Sequence, residues 1–442
     1  AQLQLGRTQI AIDGLELAWQ APALLQGKLQ VQRLAAQVVR VTQSSSPPSA
    51  TPAPAPSSLA LPLAVQMDAL HIGQLAVYQA AQPSHPVWQA SDIQAQYQYR
   101  KGQHQARIQR LTMLGGAYQA QLNLGSKRPF ALQGLATAQL QLPQLPAAPP
   151  VLASVDLRGN LLDIQVHLQA RSSASSIRSP GAKPSALPKN QADVQARIQP
   201  WGKWLLQGVQ GQLDEVDLAT FAPSLPVTRI SGQLLPELAG LSAPSGSAGD
   251  SLHIDLRNSA PAPWDAGGLP ISRMQGKLLW QNEVLRLSQL QLALGQGLIE
   301  AQGQWQADSG AWQTRAQLQD VDLAQLYSAF APSRLQGQLS ADSTGATDVQ
   351  ADDKAAKQAL IRFALDAKNQ NPASAQASLL DLRSVQLHGS WQGDALSLPD
   401  LQVQTADAQV QGSASYQLAA QNAQIDLQLQ APGLQGQAKG QI

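Results

Sequence analysis

Apolar residues recur at every second position along most of this chain, usually with glutamine between them. Ile93, Ala95, Tyr97 and Tyr99 alternate with Gln94, Gln96 and Gln98. Tyr118 to Leu124, Val194 to Ile198, Leu252 to Leu256, Leu290 to Leu294 and Ile425 to Ala431 repeat the pattern. The longest run spans Ala406, Ala408, Val410, Gly412, Ala414, Tyr416 and Leu418. A period of two places alternate side chains on opposite faces of a strand, one face buried and one wet. Segments with a helical period of 3.6 are missing. The fold class is therefore all-β and mostly antiparallel, with about twenty to thirty strands. RKGQ (100–103), LGG (114–116), LGSKRP (124–129), LRGN (157–160), LGQG (294–297) and WQGD (391–394) supply the turns.

Composition limits what such a chain does. Only 13% of its 442 residues are charged, against roughly 25% in a typical globular protein. Glutamine, a neutral amide, keeps the wet faces soluble. The formal net charge is +1, and no basic tract stands out, so no nucleic-acid partner is expected. There is no cysteine, which removes disulfides, thiolate nucleophiles and Cys-bound metals. The six histidines occur singly. His253 and Asp255 sit on one wet strand face, not in an acid–base site, and GQG (295–297) is a turn, not a phosphate loop. Neither an enzyme, a cofactor nor a metal is expected. No run of 18 apolar residues could span a bilayer. The chain opens in mid-pattern with AQLQLG and stops at GQI, so it reads as a section of a longer protein.

Three segments lack the alternation and are expected to be disordered insertions: about 44–58, 172–190 and 341–358. LPQLPAAPP (142–150) and SAPSGSAGD (242–250) read as connectors. One internal repeat is visible: VDLATFAPSLPVTRISGQL (216–234) against VDLAQLYSAFAPSRLQGQL (321–339). Asp217 and Asp322 are placed to cap one helical turn in each copy.

So many strands cannot form one flat sheet, because wide sheets curl, split or close. A membrane barrel would need matched strands and two aromatic girdles, and the nine tryptophans do not recur at two belts. The irregular spacing does not fit a parallel β-helix. A series of sandwiches remains, and so does a single sheet (1–442) curled into an open groove with an apolar interior. Candidate groove-lining residues are Ile93, Tyr97, Tyr99, Leu290, Leu292, Leu294, Val403, Val410, Tyr416, Ile425, Leu427 and Leu429. An exposed apolar strip of that length needs an occupant. Acyl chains suit one that carries no charge.

WQAPALLQGKLQVQRLAAQVVRV (19–41), the Pro-rich insertion and LPLAVQMDALHIGQLAV (61–77) follow one another in a recognisable order. With LRLSQLQLALGQGLIEAQGQW (285–305) and the paired VDLA…GQL segments, the chain resembles the TamB-type proteins of the AsmA-like family. The resemblance covers most of the chain, although its motifs are degenerate β repeats. It implies a taco-shaped β-groove in the periplasm of a Gram-negative bacterium, moving phospholipids between inner and outer membranes. It also implies a role in assembling outer-membrane proteins such as autotransporters, with a barrel partner, TamA. Family members carry an N-terminal inner-membrane anchor and a C-terminal domain that engages the partner, and neither is evident here. At 4.8 Å per strand, about 25–30 strands would extend roughly 120–145 Å.

Overall fold

The computed structural model describes residues 2–5, 8–43, 54–79, 86–141, 150–172, 189–202, 206–222, 224–237, 250–281, 283–344, 359–370, 382–418 and 422–441. The chain forms two compact units, Ala1–Leu225 and Pro226–Ile442. Both are all-β and open.

The first unit begins with β1 (Gln2–Leu5), β2 (Thr8–Asp13), β3 (Glu16–Trp19), a single turn α1 (Ala21–Leu24) and β4 (Lys28–Gln43). The long strands β5 (Ala64–Gln79), β6 (Trp88–Arg100) and β7 (Gln103–Met113) follow. Then come β8 (Gly116–Gly125), β9 (Ala131–Leu140), β10 (Val151–Asn160), β11 (Asp163–Ser172), β12 (Gln191–Ile198) and β13 (Leu206–Val216). From β5 onward each strand pairs antiparallel with the next. β4 and β5 are the exception and run parallel. β2 and β3 share one edge of β4, and β1 lies outside β2. Among the described residues no pairing joins β1 or β3 to β13, so this sheet is not a barrel.

The second unit contains β14 (Ile230–Glu237), β15 (Asp250–Asn258), β16 (Arg273–Gln281), β17 (Val284–Leu294), β18 (Gly297–Gln306) and β19 (Trp312–Val321). A turn α2 (Leu323–Leu326) precedes β20 (Leu335–Ser343), β21 (Leu360–Asn369), β22 (Leu382–Gln392) and β23 (Ala395–Thr405). β24 (Gln409–Gln417), β25 (Asn422–Ala431) and β26 (Leu434–Gln441) complete it. Every neighbouring pair is antiparallel and in sequence order.

The turns at Lys101–Gly102 and Leu114–Gly115 are two-residue hairpins with left-handed φ at both positions (51° and 74°, 49° and 74°). That geometry matches the twist of the flanking strands. LRGN is not a turn. Gly159 and Asn160 stay in β10, opposite Leu132 and Ala131, and the chain reverses at Leu161–Leu162. Asn160 Oδ1 accepts from the Leu162 amide at 3.0 Å. The run from Ala406 to Leu418 is likewise shorter than its alternation suggests. Thr405 Oγ1 accepts from the Ala408 amide at 3.0 Å and closes a turn, so β24 starts only at Gln409. Of the expected insertions, 341–343 belong to β20, and 54–58, 172, 189–190 and 344 are described. Residues 44–53, 173–188 and 345–358 lie outside the described residues, as do 142–149 and 242–249 of the two connectors.

Both copies of the repeat make one helical turn with an aspartate cap. Asp217 accepts from the Ala219 amide and Asp322 from the Ala324 amide, satisfying a donor that the first turn leaves free. Asp322 also accepts from the Ser333 amide at 2.8 Å.

Several charged side chains form cross-strand or neighbouring pairs on the wet face. Arg197 donates twice to Asp163, and Lys439 lies 3.0 Å from Asp426. Donors hold five carboxyl groups below the usual range: Arg197 at Asp163, Gln169 then His167 at Asp193, Ser328 at Asp265, Arg334 at Asp320 and Lys439 at Asp426. A carboxyl depressed by folding stabilises the folded state above its unfolded pKa, about 3.9. That contribution disappears as pH falls through the lower folded value. The melting temperature by circular dichroism should therefore stay level from about pH 7 to pH 5 and drop below about pH 4. A maximum near pH 3 would show that these contacts do not form.

Candidate functional site

Register turns the alternation into rows. In the first unit one row crosses β3 to β13 as Leu17, Leu34, Leu70, Ala95, Ile108, Ala120, Ala136, Val155, Leu168, Val194 and Gly211. In the second, a row crosses β14 to β26 as Gly232, Leu256, Met274, Leu292, Ile299, Leu318, Gly337, Ala367, Val385, Val403, Val410, Leu429 and Gly436. Neither row contains a polar side chain.

The opposite face carries a matching polar row. In the second unit it reads Gln233, Asp255, Gln275, Gln291, Glu300, Gln317, Gln338, Asp366, Gln386, Gln402, Gln411, Gln428 and Gln437. A primary amide both donates and accepts, so glutamines can link along a row without like-charge repulsion. Gln411 Nε2 donates to Gln428 Oε1 at 3.2 Å, and Gln291 Nε2 to Glu300 Oε1 at 2.9 Å.

Bulges keep the apolar face continuous where the sequence changes phase. Leu285 and Leu287 have odd parity; Leu290, Leu292 and Leu294 have even parity. Gln289, with φ 55°, shifts the register between the two sets. Leu285 then pairs with Trp305, Leu287 with Gly303, Leu290 with Ala301 and Leu292 with Ile299. The same two-residue step separates Met67 from Leu70, Ile108 from Leu111, Leu318 from Val321 and Leu398 from Leu401. A bulge bends its strand and increases its twist.

Each candidate lining residue has a definite place. Leu292, Val403, Val410 and Leu429 lie in the row given above. Leu290 belongs to the adjacent row, which continues from Ala301 through Ala316, Leu339, Leu365, Leu387, Leu401 and Gly412 to Leu427. Ile425 pairs with Ala414, Tyr416 with Leu396 and Leu294 with Gly297. In the first unit Ile93 faces Ile72, Tyr97 faces Met67 and Tyr99 faces Val65. Alternation alone missed Leu285, Leu287, Leu396 and Leu398. The signal for them was present: two apolar pairs in opposite phase, two residues apart.

These side chains are mostly half-buried. Leu290, Leu292, Val403, Val410, Ile425, Leu427 and Leu429 are all intermediate in exposure, whereas Leu294, at 2% exposure, closes one end of its strand. A sandwich would bury this set completely against a second sheet. Two recesses in the surface lie on the other face. One of about 1150 Å³ is bordered by His253, Lys277, Gln291, Glu300, Arg315 and His388, and one of about 400 Å³ by Gln66, Gln98, Gln105 and Arg107.

One polar cluster interrupts the apolar face of the first unit. Tyr97 Oη lies 2.7 Å from His104 Nδ1, and His104 Nε2 lies 2.9 Å from the Leu59 carbonyl oxygen. The Tyr99 ring lies 4.6 Å from the imidazole. Burial, then the neighbouring Tyr99, raises the Tyr97 hydroxyl above its usual pKa. The cluster fastens the described end of the β4–β5 connection to the ends of β6 and β7.

Among the described residues there is no cluster of metal-binding side chains, and no helix is long and apolar enough to cross a membrane. No family model, curated protein or solved structure matches the chain.

Proposed function

We propose that the apolar faces carry phospholipid acyl chains, and that the chain is a section of a TamB-type, AsmA-like bridge in a Gram-negative periplasm. The observation that carries this reading is the apolar row running through β14–β26, half-exposed at most of its rungs. Apolar surface on that scale gains about 25 cal/mol per Å² when an acyl chain covers it. Successive rungs, about 4.8 Å apart, offer an acyl chain similar contacts. A lipid then meets no deep well and no charge, which suits sliding rather than storage. The reading needs no catalytic residue and no cofactor. The reading includes inner-membrane anchoring of the whole protein and engagement of TamA.

Mass spectrometry of an organic extract tests the reading. The purified chain should bring phospholipid with it, in amounts comparable to the protein. A lipid-free extract from correctly folded protein would sink it. A second reading, a scaffold for outer-membrane protein assembly, draws on β3, whose four residues are all exposed and, among the described residues, pair with β4 alone. Such an edge can accept a client strand. It predicts peptide capture by a lipid-free protein.

A further inference from the structure

Exposed leucines and unpaired cations meet at one rim of the first unit. β4 and β5 begin there, with Lys28 opposite Ala64. β6 ends there at Arg100, which pairs with Gln103 across the Lys101–Gly102 turn. The β8–β9 connection adds Lys127 and Arg128, fastened by the Ser126 amide donating to the Gly102 carbonyl. Six neighbouring strands give the rim a width of about 24 Å.

The apolar part is firmly presented. After α1 the amides of Leu25, Gln26 and Gly27 donate to Pro22, Ala23 and Leu24, and the Ala64 amide donates to Gly27. This fixes Leu25 at 92% exposure, with Leu24, Leu61 and Leu63 at 39% each. The charged part is one-sided. Several basic side chains elsewhere sit beside carboxylates, as at Arg33–Glu16, Arg110–Asp92, Arg158–Asp156 and Arg362–Asp342. The rim segments 24–28, 59–64, 99–104 and 124–132 contain no carboxylate. Among the described residues Lys28 reaches only the Gln30 amide oxygen, and Arg128 donates to the Ala55 and Pro56 carbonyls. Arg100, Lys101 and Lys127 are exposed and, among the described residues, make no ion pair.

We infer that this rim docks on the surface of a bilayer containing anionic phospholipid, with Leu24 and Leu25 entering the interface and the cations meeting headgroup phosphates. Charge complementarity selects the occupant. A chain this poor in charge gathers five cations in one place without a counter-charge, beside leucines that water does not favour. The inference stands apart from acyl-chain transport, because it concerns the rim and not the apolar face.

The test is flotation of the 442-residue chain with vesicles of phosphatidylcholine, with or without about 30% phosphatidylglycerol. Binding is expected only with the anionic lipid, and it should weaken as salt rises. The triple variant Arg100→Gln, Lys101→Gln, Lys127→Gln should bind on the order of 100-fold more weakly. Leu24→Gln with Leu25→Gln should lose about tenfold and keep the salt dependence. All these side chains face solvent, so thermal melts should match the parent protein. Equal binding to both vesicles, no binding, or an unaffected triple variant would overturn the inference. Binding to an acidic peptide or duplex DNA as tight as to anionic vesicles would overturn it too, because the partner would then not be a bilayer. A negative result here leaves the extract assay free to succeed.

Discussion

Leu427→Asp should nearly abolish the proposed phospholipid transfer, while Leu427→Ala should change it by less than about threefold. Leu427 lies between Gly412 and Ala438 on the apolar face. On the proposed reading a carboxylate there would be stripped of water each time an acyl chain passes. If that raises the barrier by about 3 kcal/mol, passage slows on the order of 100-fold. Leu292→Arg should do less harm than the aspartate, although it also adds a charge. The arginine stem can lie along the apolar row while its guanidinium reaches water. The order Asp, Arg, Ala therefore separates a charge barrier from lost packing. Dequenching of a fluorescent phospholipid between donor and acceptor vesicles measures it, with thermal melts as control. Equal transfer by all three variants would exclude conduction along this face.

Gly412→Val should cost roughly 3 kcal/mol or more of stability, visible as a large fall in melting temperature. Gly412 has φ 151°, and a Cβ there would stand 2.0 Å from the Asp426 carbonyl oxygen. That oxygen belongs to the neighbouring strand and cannot retreat without breaking the ladder. Gly232 has the same geometry, with φ 148° and the Asp255 carbonyl oxygen 2.1 Å from the added atom. At both places the glycine sits on the apolar face opposite a leucine, and the aspartate before that leucine supplies the clashing oxygen. Gly436→Val is the control, because nothing lies within 4 Å of its added Cβ. A melting temperature for Gly412→Val close to that of Gly436→Val would show that β24 and β25 are not held as closely as described.

The alternation made the candidate face legible to different degrees along the chain. Ile425, Leu427 and Leu429 could be assigned directly, because β25 runs from Asn422 to Ala431 without a bulge. Leu285 and Leu287 could not be joined to Leu290 and Leu292 from parity. Only the left-handed backbone at Gln289 brings both sets to one face. LRGN looked like a turn because Gly and Asn favour reversal, but pairing with β9 carries the strand through it. The cationic rim had no sequence signature. Its members come from residues 28, 100–101 and 127–128, and no basic run marks them.

Period two is a local property, since successive side chains on a strand point to opposite faces whatever the partner strand. Residue order was therefore enough to establish a β protein with one apolar and one amide face. It was also enough to explain the glutamines, which wet a face and link along it without charge. Which residues share a rung depends on register, and register depends on bulges and turns that only pairing with a neighbour defines. The folded chain was needed to show that leucines of opposite phase share one face, half-exposed, and that cations distant in sequence converge on one rim.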